Sequence, residues 1–415
     1  MDKLTMTKTE NGKGYYIKFY SLKNRLIINK LIKMFYKALS ENKNEIVIDL
    51  TSCKPPSFPN IICSISGLSE LYIKKFDFII EIKVNENSYL DHTGIVKPYS
   101  MNNNAISLKE DIFDKVISFC NETEVDYITH TMLEQLQMNI ICNEGVLTAA
   151  SWCINEIMDN VLNHSKSLSG YIMAQIHKRK KHLVFTIYDN GLGLYNTLKK
   201  VYNLEDTIDA INISTQQGIT RDKKLGQGNG MWGLYKIISE NGGILTIVSG
   251  SAAMTYDYTN GNEKQYKKLA YPSKKYNTTL IDFMIDFSKY TNVKSALNDY
   301  EPYEYLSKQH EEMENRDGYI VFNVKENTTG TGTRKSGKKA RTQLINIERM
   351  EKTPVIVDFS EIGRVTSSFA DEFIGKLTII YGLSDFNDKF LLINYNEYIQ
   401  NLINKAIDQR NNAHK

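Results

Sequence analysis

The sequence predicts an α/β protein with three folded units, and three observations support this prediction. Residues 14–82 alternate strand and helix patterns in the order strand, helix, strand, helix, strand. Residues 318–393 repeat that order. Between them, an amphipathic helix, an apolar strand that ends in aspartate, and a glycine-rich turn before a helix indicate a third unit of the same class.

The composition is that of an ordinary globular protein. Of the 415 residues, 41% are hydrophobic and 24% are charged, and the net charge of +3 does not indicate nucleic-acid binding. No apolar stretch is long enough to cross a bilayer and the polar N-terminus lacks a signal-peptide core, so we expect a cytoplasmic protein without membrane contact. The five cysteines form no CxxC pair, which argues against a disulfide framework and against a zinc site.

Apolar runs and helical spacing define the units along the chain. The predicted units are an α/β unit at 1–100, helical connectors at 101–139, the central unit at 140–290, a linker at 291–317 and an α/β unit at 318–415. The first unit has predicted strands at Gly14–Phe19, Ile46–Leu50 and Phe76–Ile82, and helices at Leu22–Leu39 and Ile61–Leu71. The last has predicted strands at 318–322, 355–359 and 390–393, a glycine-rich basic stretch at Thr328–Lys339, and a helix at Phe369–Ile380.

The first and last units share a pattern that suggests a divergent repeat. Each has a strand that ends in aspartate, Asp49 or Asp358, followed by a Ser-Phe pair and a helix. Aligning the pairs Ser57-Phe58 and Ser368-Phe369 needs a two-residue gap. Two unrelated β-α-β units are the alternative, because such patterns are common.

The central unit opens with a helix that carries polar residues at regular spacing. Glu156, Asn160 and His164 are four residues apart, so they lie along one helix face opposite an apolar stripe. The carboxylate can deprotonate a hydroxyl or water, and the amide oxygen suits Mg²⁺. A solvated polar face explains the same pattern if it is taken alone.

Two glycine motifs follow this helix. Asp189, Gly191 and Gly193 follow an apolar strand, where the glycines permit close ligand approach, although Asp-Asn-Gly is also a common hairpin turn. Glycines 226, 228 and 230 open a predicted helix, whose free N–H groups can bind an anion. Farther on, Thr278 begins an apolar strand and can reach a phosphate.

The order and spacing of these motifs resemble the GHKL ATPases, the fold shared by gyrase B, heat-shock ATPases, sensor kinases and MutL. The resemblance covers about residues 146–287 and implies an α/β sandwich with a mixed sheet that binds Mg-ATP. It implies Glu156 as general base, Asn160 as the Mg²⁺ ligand and Asp189 as the acceptor of the adenine amine. The other residues that it assigns to nucleotide binding are Asn163, His164, Gly191, Gly193, Gly226, Gly228, Gly230 and Thr278.

Within this family, the closest pattern is that of the anti-sigma-factor serine kinases, which retain the base glutamate. Sensor kinases carry a phospho-accepting histidine upstream, but His130 lacks the sequence context of such a site. A surface histidine is the better interpretation of His130.

The last unit resembles STAS domains over about residues 318–406, where Thr366-Ser367-Ser368-Phe369 opens a helix. In anti-sigma antagonists the second serine of the pair is phosphorylated, which implies Ser368 as the acceptor here. A phosphate at a helix N-terminus is stabilised by free N–H groups. N-capping by Ser367 or Thr366 is the simpler interpretation. The first unit is predicted to be a divergent STAS-like repeat.

Three functions are compatible with these residues. The first is a regulatory ATP-binding protein in which nucleotide state, and phosphoryl transfer to Ser368, change what the STAS-like domains bind. The second is an ATP-hydrolysing clamp in a bacterial stress or phage-defence system, with Glu156 activating water. The third is a nucleotide sensor without turnover, which the presence of Glu156 disfavours. The expected partners are ATP, a protein bound through the STAS-like domains, and a second copy of the chain.

Overall fold

A computed structural model describes residues 4–165, 167, 169–219, 228–302, 305–315 and 317–412, with side chains except at 104–107, 110, 164, 305, 307, 308 and 412. Helices and strands form mixed layers, so the predicted α/β class is confirmed. The chain folds into two compact units. Unit 1 consists of Met1–Thr131, Trp152–Asp286 and Asn292–Glu301, and unit 2 of Met132–Ser151, Phe287–Thr291 and Pro302–Lys415.

The N-terminal part of unit 1 is a small sheet with helices. Its described elements are β1 (Leu4–Lys8), β2 (Gly14–Phe19), β3 (Ser21–Leu22), α1 (Leu26–Ser40), β4 (Glu45–Asp49), β5 (Lys54–Ser57), α2 (Pro59–Phe76) and β6 (Ile79–Lys83). The sheet has the order β1-β2-β4-β6. Strands β2, β4 and β6 are parallel, and β1 joins β2 in antiparallel orientation.

Local sequence explains these elements. Helix α1 buries Leu31 and Phe35, four residues apart, and β4 buries alternate residues. Helix α2 has Pro59 in its first turn, where no backbone N–H is needed, and ends at Asp77 with a left-handed φ of 54°. The strand predicted from Phe76 therefore begins only at Ile79, because the helix continues to Phe76.

The rest of unit 1 is built on a larger sheet. Helices α5 and α6 are divided between the two units. The described elements that follow β6 in chain order are α3 (Tyr89–His92), α4 (Met101–Glu110), β7 (Ile117–Phe119), α5 (Glu122–Asn139), α6 (Val146–Asn160), β8 (Gly170–His177), β9 (His182–Asp189), α7 (Gly193–Leu198), α8 (Thr207–Ser214), α9 (Gly230–Asn241), β10 (Ile244–Ser249), β11 (Ala252–Asp257), β12 (Asn262–Tyr266), β13 (Thr279–Asp286) and α10 (Val293–Ala296).

The described strands of this sheet have the order β12-β11-β10-β13-β9-β8-β7. Every pairing between them is antiparallel. The expected sheet is mixed, with both parallel and antiparallel strands. Among the described residues, the parallel pairing at this sheet is an isolated bridge between Tyr99 and Ile117, the first residue of β7. Strand β7 lies within the predicted helical connector, where its three residues are too short to give a strand signal.

The two faces of this sheet have different neighbours. Helix α2 packs on β8 and β9, and α9 packs on β10 and β13. Tyr188 and Leu280 join the hydrophobic core of the N-terminal part, whereas their neighbours Ile187 and Ile281 line a cavity on the other face. The sequence predicts the N-terminal part as a separate unit, and in the structure it shares a core with the central sheet.

Unit 2 contains the C-terminal α/β layer. Its further described elements are α11 (Tyr305–Glu312), β14 (Ile320–Asn323), α12 (Arg334–Glu351), β15 (Val355–Asp358), α13 (Ser367–Ala370), a π-helical turn (Asp371–Gly375), α14 (Lys376–Tyr381), α15 (Leu383–Lys389), β16 (Phe390–Ile393) and α16 (Glu397–Asn412). The sheet β14-β15-β16 is parallel. Phe322, Val357 and Phe373 belong to its buried core.

Asn346 joins α12 to the chain around residue 140 within unit 2. Its Nδ2 donates to the carbonyls of Gln137 and Ile140, both at 2.8 Å, and its Oδ1 accepts from the N–H of Cys142 at 2.9 Å. The side chain is 1% exposed. A buried amide with three hydrogen bonds is a stabilising contact whose loss is costly.

The N-terminal part, β1 to β6 with α1 and α2, is called the N-terminal layer below. It has the same turn after its middle parallel strand, β4, as the C-terminal layer has after β15. Asp49 Oδ1 accepts from the N–H and hydroxyl of Thr51, at 2.9 and 2.6 Å. Asp358 Oδ1 accepts from the N–H and hydroxyl of Ser360, at 2.8 and 2.7 Å. Both layers also have parallel strands in sequential order, β2-β4-β6 and β14-β15-β16.

The helix after this turn gives a different alignment from that suggested by the sequence. Phe58 is the N-cap of α2 and Thr366 is the N-cap of α13. Phe58 donates its N–H to the carbonyl of Leu22 at 3.2 Å, and Thr366 donates its N–H to the carbonyl of Thr331 at 3.1 Å. Both carbonyls lie between the first parallel strand and the first helix of their layer. By these contacts Phe58 and Thr366 occupy similar local positions, whereas the sequence pattern pairs Ser57 with Ser368.

Candidate functional site

A cavity of about 550 Å³ lies in unit 1, against one face of the larger sheet. It collects residues from α6, β9, α7, α9 and β13, which are far apart in the sequence. Its lining mixes apolar side chains with polar and charged ones, so the cavity offers both an apolar surface and hydrogen-bonding groups to a small molecule. Its polar lining includes Glu156, Asp159, Asn160, Asn163, Asp189 and Thr279.

Helix α6 supplies Glu156, Asp159 and Asn160. Ile154 and Met158 are fully buried, whereas Glu156, Asp159 and Asn160 line the cavity together with Ile157. The helix then widens into a π-helical turn, Val161–Ser165, which carries Asn163 to the cavity. The side chain of His164 lies outside the described residues.

Glu156 titrates near neutral pH. Burial, and secondarily the negative charge of Asp159, raises the pKa of Glu156 to about 7. Burial, together with Glu122 and Asp126, raises the pKa of Asp159 to about 6. A carboxyl group that is partly ionised at pH 7 is well matched to general-base chemistry.

Asn160 carries an amide atom that lacks a partner. Its Nδ2 is buried and, among the described residues, has no hydrogen-bond partner. Because an amide's oxygen and nitrogen are assigned from their neighbours, the unsatisfied atom can equally be the oxygen. A buried polar group in this state calls for a ligand or water.

Gly230 brings the first turn of α9 close to these two residues. A methyl group at Gly230 would come within 2.8 Å of Glu156 Oε2 and 3.0 Å of Asn160 Nδ2. Gly228 has a left-handed φ of 72°, and both glycines line the cavity. The third predicted glycine of this motif, Gly226, lies outside the described residues.

Asp189 is the buried acceptor at the end of β9. It is 4% exposed, its Oδ1 accepts from the N–H of Gly191 at 2.7 Å, and the Thr279 hydroxyl donates to it. Burial raises the pKa of Asp189 to about 7. The cavity therefore presents a carboxyl group on the apolar sheet face, able to accept a hydrogen bond from a ligand.

The glycines after Asp189 are explained by close contacts. A methyl group at Gly191 would overlap the carbonyl of Ser165 and come within 2.7 Å of Asp189 Oδ1. Gly193 has a left-handed φ of 72° and lies against Asn277. Gly193 lines the cavity, and Gly191 supports it by holding Asp189.

Thr279, and not the predicted Thr278, lines the cavity. Thr278 has a left-handed φ of 47°, and its hydroxyl is hydrogen-bonded to Tyr188, whose ring lies in the N-terminal core. Thr279 is the first residue of β13 and pairs directly with Asp189 on β9. Because side chains alternate along a strand, the one-residue difference changes the face.

Residues predicted to belong to the linker form a further wall of the cavity. Leu297, Asn298 and Tyr300 line the cavity, and Asn298 Nδ2 donates to Gln217 Oε1 at 3.2 Å. No motif marks these residues. Asp159 was also missed, although its position three residues after Glu156 puts it on the same helix face.

Metal binding by protein side chains alone is not supported in the described part of the chain. No group of three His, Cys, Asp or Glu side chains there has a suitable arrangement. A Mg²⁺ ion in the cavity would need most of its oxygen ligands from a bound substrate and water, which is common for this metal.

Ser368 lies in unit 2, in the first turn of α13. The cap residue is Thr366, whose hydroxyl accepts from the N–H of Phe369 at 3.2 Å. Ser367 is exposed and Ser368 is half-buried. Since Thr366 caps the helix, neither serine is needed for that role.

Comparison with known proteins identifies the C-terminal layer. A family model described as a STAS-like domain of unknown function (DUF4325) matches residues 336–400. The predicted STAS-like character of this region is therefore confirmed. No curated protein matches the chain. Among the described residues, no helix is long and apolar enough to span a membrane.

Proposed function

We propose that unit 1 is a GHKL-type domain that binds Mg-ATP and regulates what the STAS-like part of the chain binds. The observation that carries this proposal is the meeting of Glu156, Asn160, Asp189 and Gly230 at one cavity, although 74 residues of sequence separate the first from the last. A solvated polar helix face would have no such partners.

The cavity suits a nucleotide in size and chemistry. Its volume of about 550 Å³ is that of a small-molecule site. Asp189 offers a buried acceptor for the exocyclic amine of adenine, with the Thr279 hydroxyl beside it. The apolar walls from β9 and β13, including Ile187 and Ile281, suit the faces of a base.

The other end of the cavity suits phosphates and Mg²⁺. Helix α9 starts with Gly230, which lies beside Glu156 and Asn160, and the first-turn N–H groups of a helix can bind an anion. Asn160 would hold Mg²⁺ through its amide oxygen. The bound ion would neutralise phosphate charge, and Glu156 would take the proton from an attacking hydroxyl group.

The flanking parts give the proposal its regulatory side. The C-terminal layer is STAS-like, a protein-interaction type of domain, and contains Ser368. We propose that the N-terminal layer is a divergent relative, supported by its strand order and by the shared Asp49 and Asp358 turns. Nucleotide state, and phosphorylation of Ser368, would then alter partner binding.

Nucleotide binding can be tested with the protein's own fluorescence. The chain has two tryptophans, Trp152 and Trp232, and both line the cavity. Mg-ATP should change their emission saturably, and Asp189→Ala should abolish that change. A wild-type protein that shows neither this change nor heat of binding would contradict the proposal.

Turnover is tested with γ-labelled ATP and Mg²⁺, with Glu156→Ala as the inactive control. Label on the protein that is lost in Ser368→Ala but kept in Ser367→Ala would establish a serine kinase with a built-in substrate. Free phosphate without protein label would establish an ATPase that acts as a clamp. Binding with neither signal would leave a nucleotide sensor.

A further inference from the structure

The loop that carries Asp189 is held from behind by helix α2. Asp189 faces the cavity, whereas the side chain of Asn190 is buried towards the N-terminal part, with 7% of the residue exposed. Asn190 Nδ2 donates to the backbone carbonyl of Gly67, in the middle of α2, at 2.8 Å. Two consecutive residues, Asp189 and Asn190, therefore line the cavity and contact the N-terminal layer, respectively.

Two further hydrogen bonds fix Asn190. Its Oδ1 accepts from the hydroxyl of Tyr188 at 3.0 Å, and its backbone N–H donates to Ser167 Oγ at 3.2 Å. The amide donor, the amide acceptor and the backbone N–H are thus all engaged. Moving Gly67 must either move the Asp189 loop or break a buried hydrogen bond, which is unfavourable.

The packing between α2 and the sheet leaves no room at Gly67. A methyl group there would overlap the ring of Tyr188 and come within 3.3 Å of Tyr171. The helix packs along both β8 and β9 at this level. Close-packed contacts of this kind transmit a displacement instead of absorbing it.

Other polar contacts tie α2 to the sheet and to the residue before β8, on either side of Gly67. Asn60 Nδ2 donates to Asp282 Oδ2 at 3.2 Å, and Glu70 accepts from Ser169 Oγ at 2.8 Å and from the Tyr171 hydroxyl. Of these contacts, only the bond at Gly67 reaches the loop that carries Asp189. The Asn190 amide is therefore the direct polar link between α2 and the base-binding end of the cavity.

We infer that Asn190 is a positioning residue that couples the N-terminal layer to the cavity, so that displacement of α2 lowers nucleotide affinity. The inference rests on the proposed function, because it assigns a regulator to the same nucleotide site. Coupling of this kind is reciprocal, so nucleotide binding must stabilise α2 by the same factor. The N-terminal layer would then act as the regulatory arm of the ATP site.

The test uses variants of the full-length protein. Asn190→Ala removes the link, and Asn190→Asp keeps the acceptor for Tyr188 but cannot donate to Gly67. The matched control is Ser66→Ala, which removes another buried hydrogen bond of α2, from Ser66 Oγ to the carbonyl of Ile95 at 2.9 Å. Mg-ATP affinity, urea unfolding and amide hydrogen exchange are measured for each protein.

We expect both Asn190 variants to bind Mg-ATP about tenfold more weakly, the effect of one lost buried hydrogen bond. The Ser66→Ala control should keep its affinity while losing a similar amount of stability. Mg-ATP should slow exchange in α2 of the wild-type protein but not in Asn190→Ala. Equal affinity losses in all three variants, or unchanged α2 protection in Asn190→Ala, would overturn the inference.

The outcome also separates this inference from the proposed function. If the wild-type protein binds no nucleotide, the proposed function fails, and exchange in residues 189–193 of the ligand-free proteins decides the coupling. Faster exchange there in Asn190→Ala than in Ser66→Ala supports the link between α2 and the loop. Equal exchange in the two variants refutes it.

Discussion

Replacing Asp189 with asparagine should make unit 1 more stable at alkaline pH and should abolish the nucleotide binding proposed for its cavity. The side chain is 4% exposed, and burial raises its pKa from an ordinary 3.8 to about 7. Asparagine has nearly the same shape and can accept the same N–H from Gly191, but it carries no charge to bury.

The size of the effect follows from the pKa. The pKa of Asp189 is higher in the folded state than in the unfolded state. The stability associated with the protonated Asp189 is therefore fully present below pH 3.8 and is lost as the pH rises to about 7. With 1.36 kcal/mol for each pKa unit, the ionised carboxylate costs on the order of 4 kcal/mol above pH 7. Asp189→Asn removes this cost, so its advantage should be near zero at pH 4 and largest at pH 8.5.

The assay is urea unfolding followed by tryptophan fluorescence at pH 4, 6 and 8.5. Trp152 and Trp232 both belong to unit 1, so the signal reports the unit that contains Asp189. Mg-ATP titrations on the same samples should show at least a hundredfold weaker binding, because an amide nitrogen facing the adenine amine places donor against donor. The difference between the proteins isolates Asp189 from Glu156 and other groups that titrate.

Two results would refute this reasoning. A stability difference that is the same at pH 4 and pH 8.5 would show that the carboxyl group does not titrate as its burial requires. Wild-type affinity for Mg-ATP in Asp189→Asn would show that the base is not bound at this residue.

Three further predictions concern other parts of the chain. Gly230→Ala should weaken Mg-ATP binding about tenfold, because its methyl group displaces Glu156 and Asn160, while Gly332→Ala, in open space, should have no effect. Turnover should rise from pH 6 to pH 8 as Glu156 ionises through a pKa of about 7, and Glu156→Gln should bind nucleotide but lose at least about a hundredfold in rate, measured as phosphate release or protein labelling. Asn346→Ala should lower the stability of unit 2 by about 3 kcal/mol, measured by calorimetry, without changing Mg-ATP affinity.

The α/β class and the shared helix face of Glu156 and Asn160 on α6 could be predicted because they depend on local periodicity. Glu156 and Asn160 share a helix face through their spacing alone, whatever packs against the helix. Asp189 follows an apolar run that gives a strand in almost any context. The STAS-like region was recognisable for a similar reason, since its strand and its Ser-Ser helix start are contiguous in sequence.

Long-range packing decided the features that the sequence did not reveal. Whether Thr278 or Thr279 reaches the cavity depends on strand register and on the left-handed φ at 278, and neither is encoded by a threonine pair. Leu297 lines the cavity only because the chain folds back against α9 after β13.

The sequence by itself therefore determined which chemical groups the protein carries and the local elements that present them, since helical and strand periodicities are properties of neighbouring residues. The tertiary structure decided which of those groups meet. It also decided that the N-terminal layer shares a core with the sheet behind Asp189, because pairing between distant segments depends on the shape and burial of whole surfaces.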